Sequence, residues 1–488
     1  MGSDPICWQK GPHLIAPLRK WLRRISAGLA LVLLTILAVR AFDAWRAPPL
    51  SLWHTEVPGE LNAAQIDAAD WTAWLFAEQS AFHEVRTRVT DKLPAADQVP
   101  ANRYFAGSPM HGSHFTTDWN RSFLWMPEGE PRGAVVLLHG LTDSPYSLRH
   151  VGAFYLQQGF VVVGARMPGH GTVPAGLARV SWRDWLATTR LSVRHARALA
   201  GGKPLHIVGY SNGAALALKY ALDALQDEQL AKPDQLVLFS PMVGISSFAR
   251  YSGVLGWPAV FPAFSNAAWL DTVPEYNPFK YNSFPVNGAR QSAKLVDAVQ
   301  QQMLDLTGEG ALGDFPRVLA FQSLLDSTVF TAAVADNLFK LLPENGSELV
   351  LFDRNHAAAV GPLVRLDGAE LLAHVMASPR QYRLIVVSQG EARVHDAGSP
   401  THRLLPLAGQ FPDDMYSLSH VALPFPVDDA LYGLQPRADE FFGVHLGTVA
   451  VRGERGALVV PVENLMRATS NPFFGFELQR IAAQLAPR

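Results

Sequence analysis

Only one cysteine, Cys7, occurs among the 488 residues. An intrachain disulfide and a cysteine-built metal site are therefore excluded. Excess charge of either sign is also missing, because 41 Lys and Arg against 43 Asp and Glu leave a net charge of −2. No basic block recurs beyond the N-terminus, so the electrostatic footprint of a nucleic-acid binder is lacking. The chain has no internal repeat and no low-complexity tract, and its 16 histidines form no H-E-x-x-H motif. No metal or organic cofactor is implied. What remains is a chain 48% hydrophobic, long enough for one large domain with insertions or for two domains.

The N-terminus breaks this even texture. Arg19, Lys20, Arg23 and Arg24 stand just before an uncharged run over residues 25–39, which extends to Phe42 if Arg40 snorkels. That length is near the lower limit of about 17 residues for a spanning helix. The following AVRAFDAWRA is a poor small-residue cleavage site, which argues against a removed signal peptide. The reading is a basic cytoplasmic segment over 1–24, an uncleaved transmembrane signal anchor over 25–42, and the rest of the chain on the extracytoplasmic side by the positive-inside rule.

Residues 43–120 read as a stiff connector followed by a helical segment that packs on the main domain. From residue 121 the pattern changes to short β-branched or leucine-rich runs separated by helices: AVVLLHG, FVVVGAR, LHIVGYS, QLVLFSP, RVLAFQS and ELVLFDR. This alternation predicts an α/β domain over 121–488, with a mostly parallel sheet covered by helices on both faces. Over residues 241–316 the alternation stops in an aromatic- and proline-rich stretch, too long for a plain connection, which reads as a cap insertion. A second insertion is expected over 357–414, with a helix in GAELLAHVMAS and an extra strand in YRLIVVS.

Ser211 lies in Gly209-Tyr210-Ser211-Asn212-Gly213, between an apolar strand and an alanine- and leucine-rich helix. A nucleophile on such a turn has strained backbone angles, needs small neighbours, and faces the positive end of the following helix. The bland alternative is a glycine-rich turn with an incidental serine. A second strand ends in His139-Gly140, and Pro168-Gly169-His170-Gly171 follows.

The HG loop, PGHG turn and GxSxG elbow, in this order, resemble the α/β-hydrolase superfamily, in particular its esterase, monoacylglycerol-lipase and serine-aminopeptidase-like branch. The resemblance covers residue 121 to the C-terminus. It implies an oxyanion hole from the backbone amides of Leu141 and Asn212, and structural roles for His139 and His170. It also implies the order nucleophile, acid, histidine, with Asp326 at the acid position, though Asp is equally a favoured helix N-cap. Two histidines compete as base. His420, in SLSHVALPF, resembles the family's histidine turn and is preferred, whereas His356 directly follows the strand ELVLF. The expected activity is hydrolysis of carboxylic esters with a hydrophobic acyl group, with a small-molecule ester or lipid as partner. An acyltransferase or peptidase using the same triad, and an idle hydrolase fold that only binds, are the alternatives; the oligomeric state is left open.

Overall fold

The computed structural model describes residues 15–244, 257–326, 328–353, 368–377, 380–399, 401–407, 409–410, 418–448 and 469–485. Its centre is a ten-stranded sheet. The strands are β1 (Phe123–Trp125), β2 (Gly133–Leu138), β3 (Phe160–Ala165), β4 (Leu205–Tyr210), β5 (Gln235–Phe239), β8 (Arg317–Ser323), β9 (Glu348–Phe352), β10 (Arg383–Ser388), β11 (Glu391–His395) and β12 (Arg403–Pro406). A separate antiparallel pair, β6 (Trp269–Asp271) and β7 (Phe284–Pro285), lies between β5 and β8 in sequence.

Within the sheet the order is β1-β3-β2-β4-β5-β8-β9-β10-β11-β12. Strands β3, β2, β4, β5, β8, β9 and β10 run parallel, and β1, β11 and β12 are antiparallel additions at the edges. Because both faces carry helices, β2, β3, β4, β5 and β9 are buried along their whole length, which explains their unbroken apolar runs. The chain steps from β2 outward to β3 and then returns to β4 on the other side of β2. Ligand crevices form outside the carboxyl ends of strands at such a reversal. The HG loop and the Ser211 turn both leave the sheet there.

All six predicted strand runs form strands, as does the one in YRLIVVS, and GAELLAHVMAS is helical over Gly368–Ala377. The stretch over 241–316 is less uniform than its composition suggests. Its second half is one helix, Val286–Gly308, whose Leu295, Val296, Val299, Met303 and Leu306 join the main hydrophobic core. Short 3-10 turns and β6 make up residues 257–271. The described residues of the stretch 357–414 lengthen the sheet: β10 pairs in parallel with β9, and β11 and β12 follow as a meander.

Residues 51–92 are part of the same body. Arg166, fully buried at the end of β3, donates to both carboxylate oxygens of Glu60 at 2.7 and 3.0 Å and to Glu78 at 3.0 Å. Asn62 and Asp70 cap the helices Ala63–Ala68 and Trp71–Arg88 by accepting from Gln65 and Ala73 amides. At the N-terminus, the helix Ile15–Arg46 contains a segment, Arg19–Arg46, long and apolar enough to cross a membrane.

Candidate active site

Ser211 occupies a backbone conformation that side chains rarely adopt, with φ +54° and ψ −111°. Its amide continues the β4 ladder by donating to the Phe239 carbonyl at 2.9 Å, while its carbonyl already accepts from Ala214 and Ala215 at 3.1 and 3.3 Å. One residue thus belongs to strand and helix at once, which forces the bend. Both flanking glycines are required by close packing. A Cβ at Gly209 would lie 2.5 Å from the Ala214 Cα, and one at Gly213 would lie 1.9 Å from the Leu138 carbonyl oxygen. Strain held in place by the surrounding structure is a feature of nucleophile turns.

The HG loop closes over this bend. A Cβ on Gly140 would sit 3.5 Å from Ser211 Cβ. His139 is buried beneath the loop; its Nε2 accepts from the Met167 amide at 3.0 Å, so Nδ1 carries the proton and donates to the Gly140 carbonyl at 2.9 Å. Burial pushes its pKa down to about 4 and keeps the ring neutral. Because a trans peptide points its C=O and N–H in opposite directions, fixing the Gly140 carbonyl also fixes the direction of the Leu141 amide. Thr142 is held at φ +65°, and its carbonyl accepts from the Tyr281 amide at 2.8 Å. Neither the Leu141 nor the Asn212 amide has an acceptor among the described residues. The Asn212 side chain is drawn aside by the Ser292 hydroxyl, which donates to it at 2.7 Å. His170, buried beside His139 at 5.0 Å between ring centroids, has its Nδ1 3.2 Å from the Pro168 carbonyl. Burial pushes its pKa down as well.

Asp326 follows β8, separated from β4 only by β5. Two strand spacings of about 4.8 Å leave roughly 10 Å between the serine and acid strands, a span that an imidazole with one partner on each side can bridge. The Asp326 Oδ1 accepts from the amides of Thr328 and Val329 at 2.8 and 3.0 Å, and Oδ2 accepts from Gln322 Nε2 at 3.3 Å. Burial raises its pKa to about 6 against the opposing effect of those donors. His420 Nδ1 lies 3.5 Å from Asp326 Oδ1, and the His420 side chain keeps 12% of its surface exposed. That approach is looser than a charge-assisted hydrogen bond, as is common in ligand-free sites.

Residues 129–272 match the family described as serine aminopeptidase, S33. Over 94 residues the chain is 31% identical to a thermostable monoacylglycerol lipase of Bacillus sp. (strain H-257), covering 19% of this chain and 36% of that protein. The chain has an α/β-hydrolase fold. It spans only about a third of the length of that curated relative. Among solved structures, a metagenome-derived lipolytic enzyme is 19% identical, covers 53% of this chain and 98% of itself, and gives a TM-score of 0.39. A soluble variant of monoglyceride lipase from Saccharomyces cerevisiae is 15% identical, covers 47% and 81%, and gives 0.37.

Along the chain β10 to β12 lie between β9 and His420, so the imidazole beside Asp326 comes from a segment beyond three further strands. His356 lies outside the described residues. The His420 segment is tied down by a side chain that no motif singles out. Asp429, fully buried, accepts from Arg149 at 2.7 Å, His150 at 2.9 Å and Tyr146 at 3.0 Å. It also accepts from the amides of Leu431 and Tyr432 at 2.9 and 2.7 Å. Burial opposes its charge, but Arg149 beside it and the His150 bond hold its carboxyl well below the usual range. Tyr146 and Arg149 follow the HG loop directly, so one carboxylate joins that loop to the His420 segment. The only sequence signal for Asp429 is an acidic residue in an otherwise apolar, proline-containing stretch, which is too common to be diagnostic.

Proposed function

We propose that the chain is a membrane-anchored serine hydrolase that cleaves carboxylic esters with a hydrophobic acyl group through an acyl-enzyme on Ser211. The observation that carries this reading is the strained elbow at Ser211, packed under the HG loop. In the first step the Ser211 hydroxyl attacks the ester carbonyl and His420 Nε2 takes its proton. Asp326, facing Nδ1, orients the ring and stabilises the imidazolium. The amides of Leu141 and Asn212 donate to the developing oxyanion, the latter at the positive end of the helix Asn212–Gln226. The imidazolium then protonates the leaving alcohol, and the reverse proton path activates water to release the acid. Aromatic residues across 264–285 favour an apolar acyl group over a sugar or a charged peptide. The name of the Bacillus relative supports a monoacylglycerol-like lipid as substrate.

The anchor is residues 25–42 of the N-terminal helix, with the basic end cytoplasmic and the hydrolase domain on the extracytoplasmic side. We test the chemistry by fluorophosphonate labelling and by hydrolysis of a chain-length series of chromogenic esters. Ser211→Ala should lose both labelling and turnover. His420→Ala should lose turnover while His356→Ala keeps most of it; the opposite pattern reassigns the base. Retained labelling in Ser211→Ala would refute the mechanism, and release of acyl-alcohol product with an added acceptor would identify a transferase.

A further inference from the structure

The N-terminal helix differs sharply along its length. Residues 19–36 are exposed around the whole circumference, whereas Leu37, Arg40, Ala41, Ala44 and Ala47 form a covered stripe at helical spacing, with Ala44 only 5% exposed. Three of the five are alanines, which allow close backbone approach. The stripe packs on residues 257–268 of the cap stretch. Arg40 donates to the Trp269 carbonyl, and Asn266 Nδ2 donates to the carbonyls of Ala44 and Pro48 at 3.4 and 3.3 Å. Trp269 in turn meets His54 edge-on at 4.8 Å, and His54 Nε2 lies 2.9 Å from the Ser283 hydroxyl on the same stretch.

The level of this contact is the informative part. The uncharged run of the helix ends at Val39, and the covered stripe begins before that, at Leu37. The uncharged run, 25–39, is about 22 Å long at 1.5 Å per residue, and with Arg24 and Arg40 snorkelling at its two ends it approaches a hydrocarbon core of about 30 Å. The cap therefore meets the helix where the apolar run gives out. Phe42, Trp45 and Phe261 surround that level with their side chains more than half exposed. Aromatic rings clustered at such a height are what membrane interfaces select.

We infer that the docked helix holds residues 257–271 in the headgroup layer, so that this hydrolase takes its substrate from the adjoining lipid leaflet rather than from water. This rests on the anchor reading proposed above and adds an interaction surface: the outer face of the cap, with an amphiphilic lipid monolayer as its partner. The helix is then a fixed part of the substrate entrance and not a loose tether.

The full chain in phosphatidylcholine vesicles tests it. In a Cys7→Ser background, Phe261→Cys labelled with a fluorophore should be quenched by lipid carrying a shallow nitroxide. The same label at Glu130→Cys should stay unquenched. Phe261→Ser should lower hydrolysis of vesicle-embedded monooleoylglycerol about tenfold, the factor set by withdrawing one partly inserted aromatic ring, and leave a water-soluble butyrate ester within about twofold. Ala44→Leu, which wedges the stripe apart, should act in the same direction. An unquenched label at 261, or equal losses on both substrates, overturns the inference. Quenching survives as a readout even if the ester chemistry is wrong, whereas failure of the chain to float with vesicles removes the anchor and this inference together.

Discussion

Asp326 is asked to be charged in a place that disfavours charge. Its pKa of about 6 exceeds the ordinary carboxyl value of 3.8, so the folded protein binds this proton more tightly than the unfolded chain does. By linkage, its burial costs stability above pH 6, and the cost is relieved as pH falls from 6 towards 4. Asp326→Asn keeps the acceptor for the Thr328 and Val329 amides and removes the buried charge. It should therefore raise the melting temperature at pH 8, with a gain that shrinks near pH 4, while the proposed esterase activity is lost. Wild-type kcat/KM should fall on the acid side with an apparent pKa close to 6. A lower melting temperature at pH 8 would contradict this account. His139 makes a second residue-scale case. It touches no reacting atom in the proposed mechanism but aims the Leu141 amide through the Gly140 carbonyl. His139→Ala should cut kcat about tenfold or more with little change in KM, part of the 10²–10³ attributed to a single oxyanion donor. An unchanged kcat would detach His139 from the oxyanion loop.

The elements differ in how much of them is legible in sequence. Runs such as Val135 to Leu138 and Val161 to Val163 are apolar on both faces because helices cover both, and that composition is visible in the chain itself. By contrast β11 alternates in burial and β12 is largely exposed, so neither rises above its polar surroundings. The helix Val286–Gly308 carries its apolar residues at helical spacing, yet it follows directly on the aromatic and proline-rich run, which masks its start in the sequence. Ser211 is legible because everything that makes it special lies within two residues on either side. The approach of His420 to Asp326 is not, since it depends on how β10 to β12 return the chain, and Asp429 is hidden for the same reason. At this scale the buried carboxylate predicts its own mutant. Asp429→Asn leaves Arg149 short of a charged partner and should cost about 3 kcal/mol, read by denaturant unfolding. It should also lower kcat more than KM, because the His420 segment loses its tie to the HG-loop side. A stability loss with kcat intact would make Asp429 purely structural.

The whole molecule is one body in which the stretch after the membrane-length helix is integral. Arg166 has no exposed surface, and the two carboxylates nearest to it, Glu60 and Glu78, both come from that stretch. Removing residues up to 50 should leave a folded α/β body. Removing them up to 92 strands a buried guanidinium and strips Trp53, Trp71 and Trp74 from the core. The second truncation should be insoluble or lose several kcal/mol of stability, as expected for a buried charge deprived of its partners. Equal melting temperatures for the two would show that the extension is dispensable.

The position of His420 after β12 also bears on how the protein is made. Ser211, the HG loop and Asp326 all leave the ribosome well before the imidazole that joins them in the proposed mechanism, and β10 to β12 intervene. A nascent chain halted anywhere short of that segment would hold a bent serine with no proton acceptor from it, so under the proposed mechanism catalytic competence would wait for β10 to β12 and the His420 segment to be made.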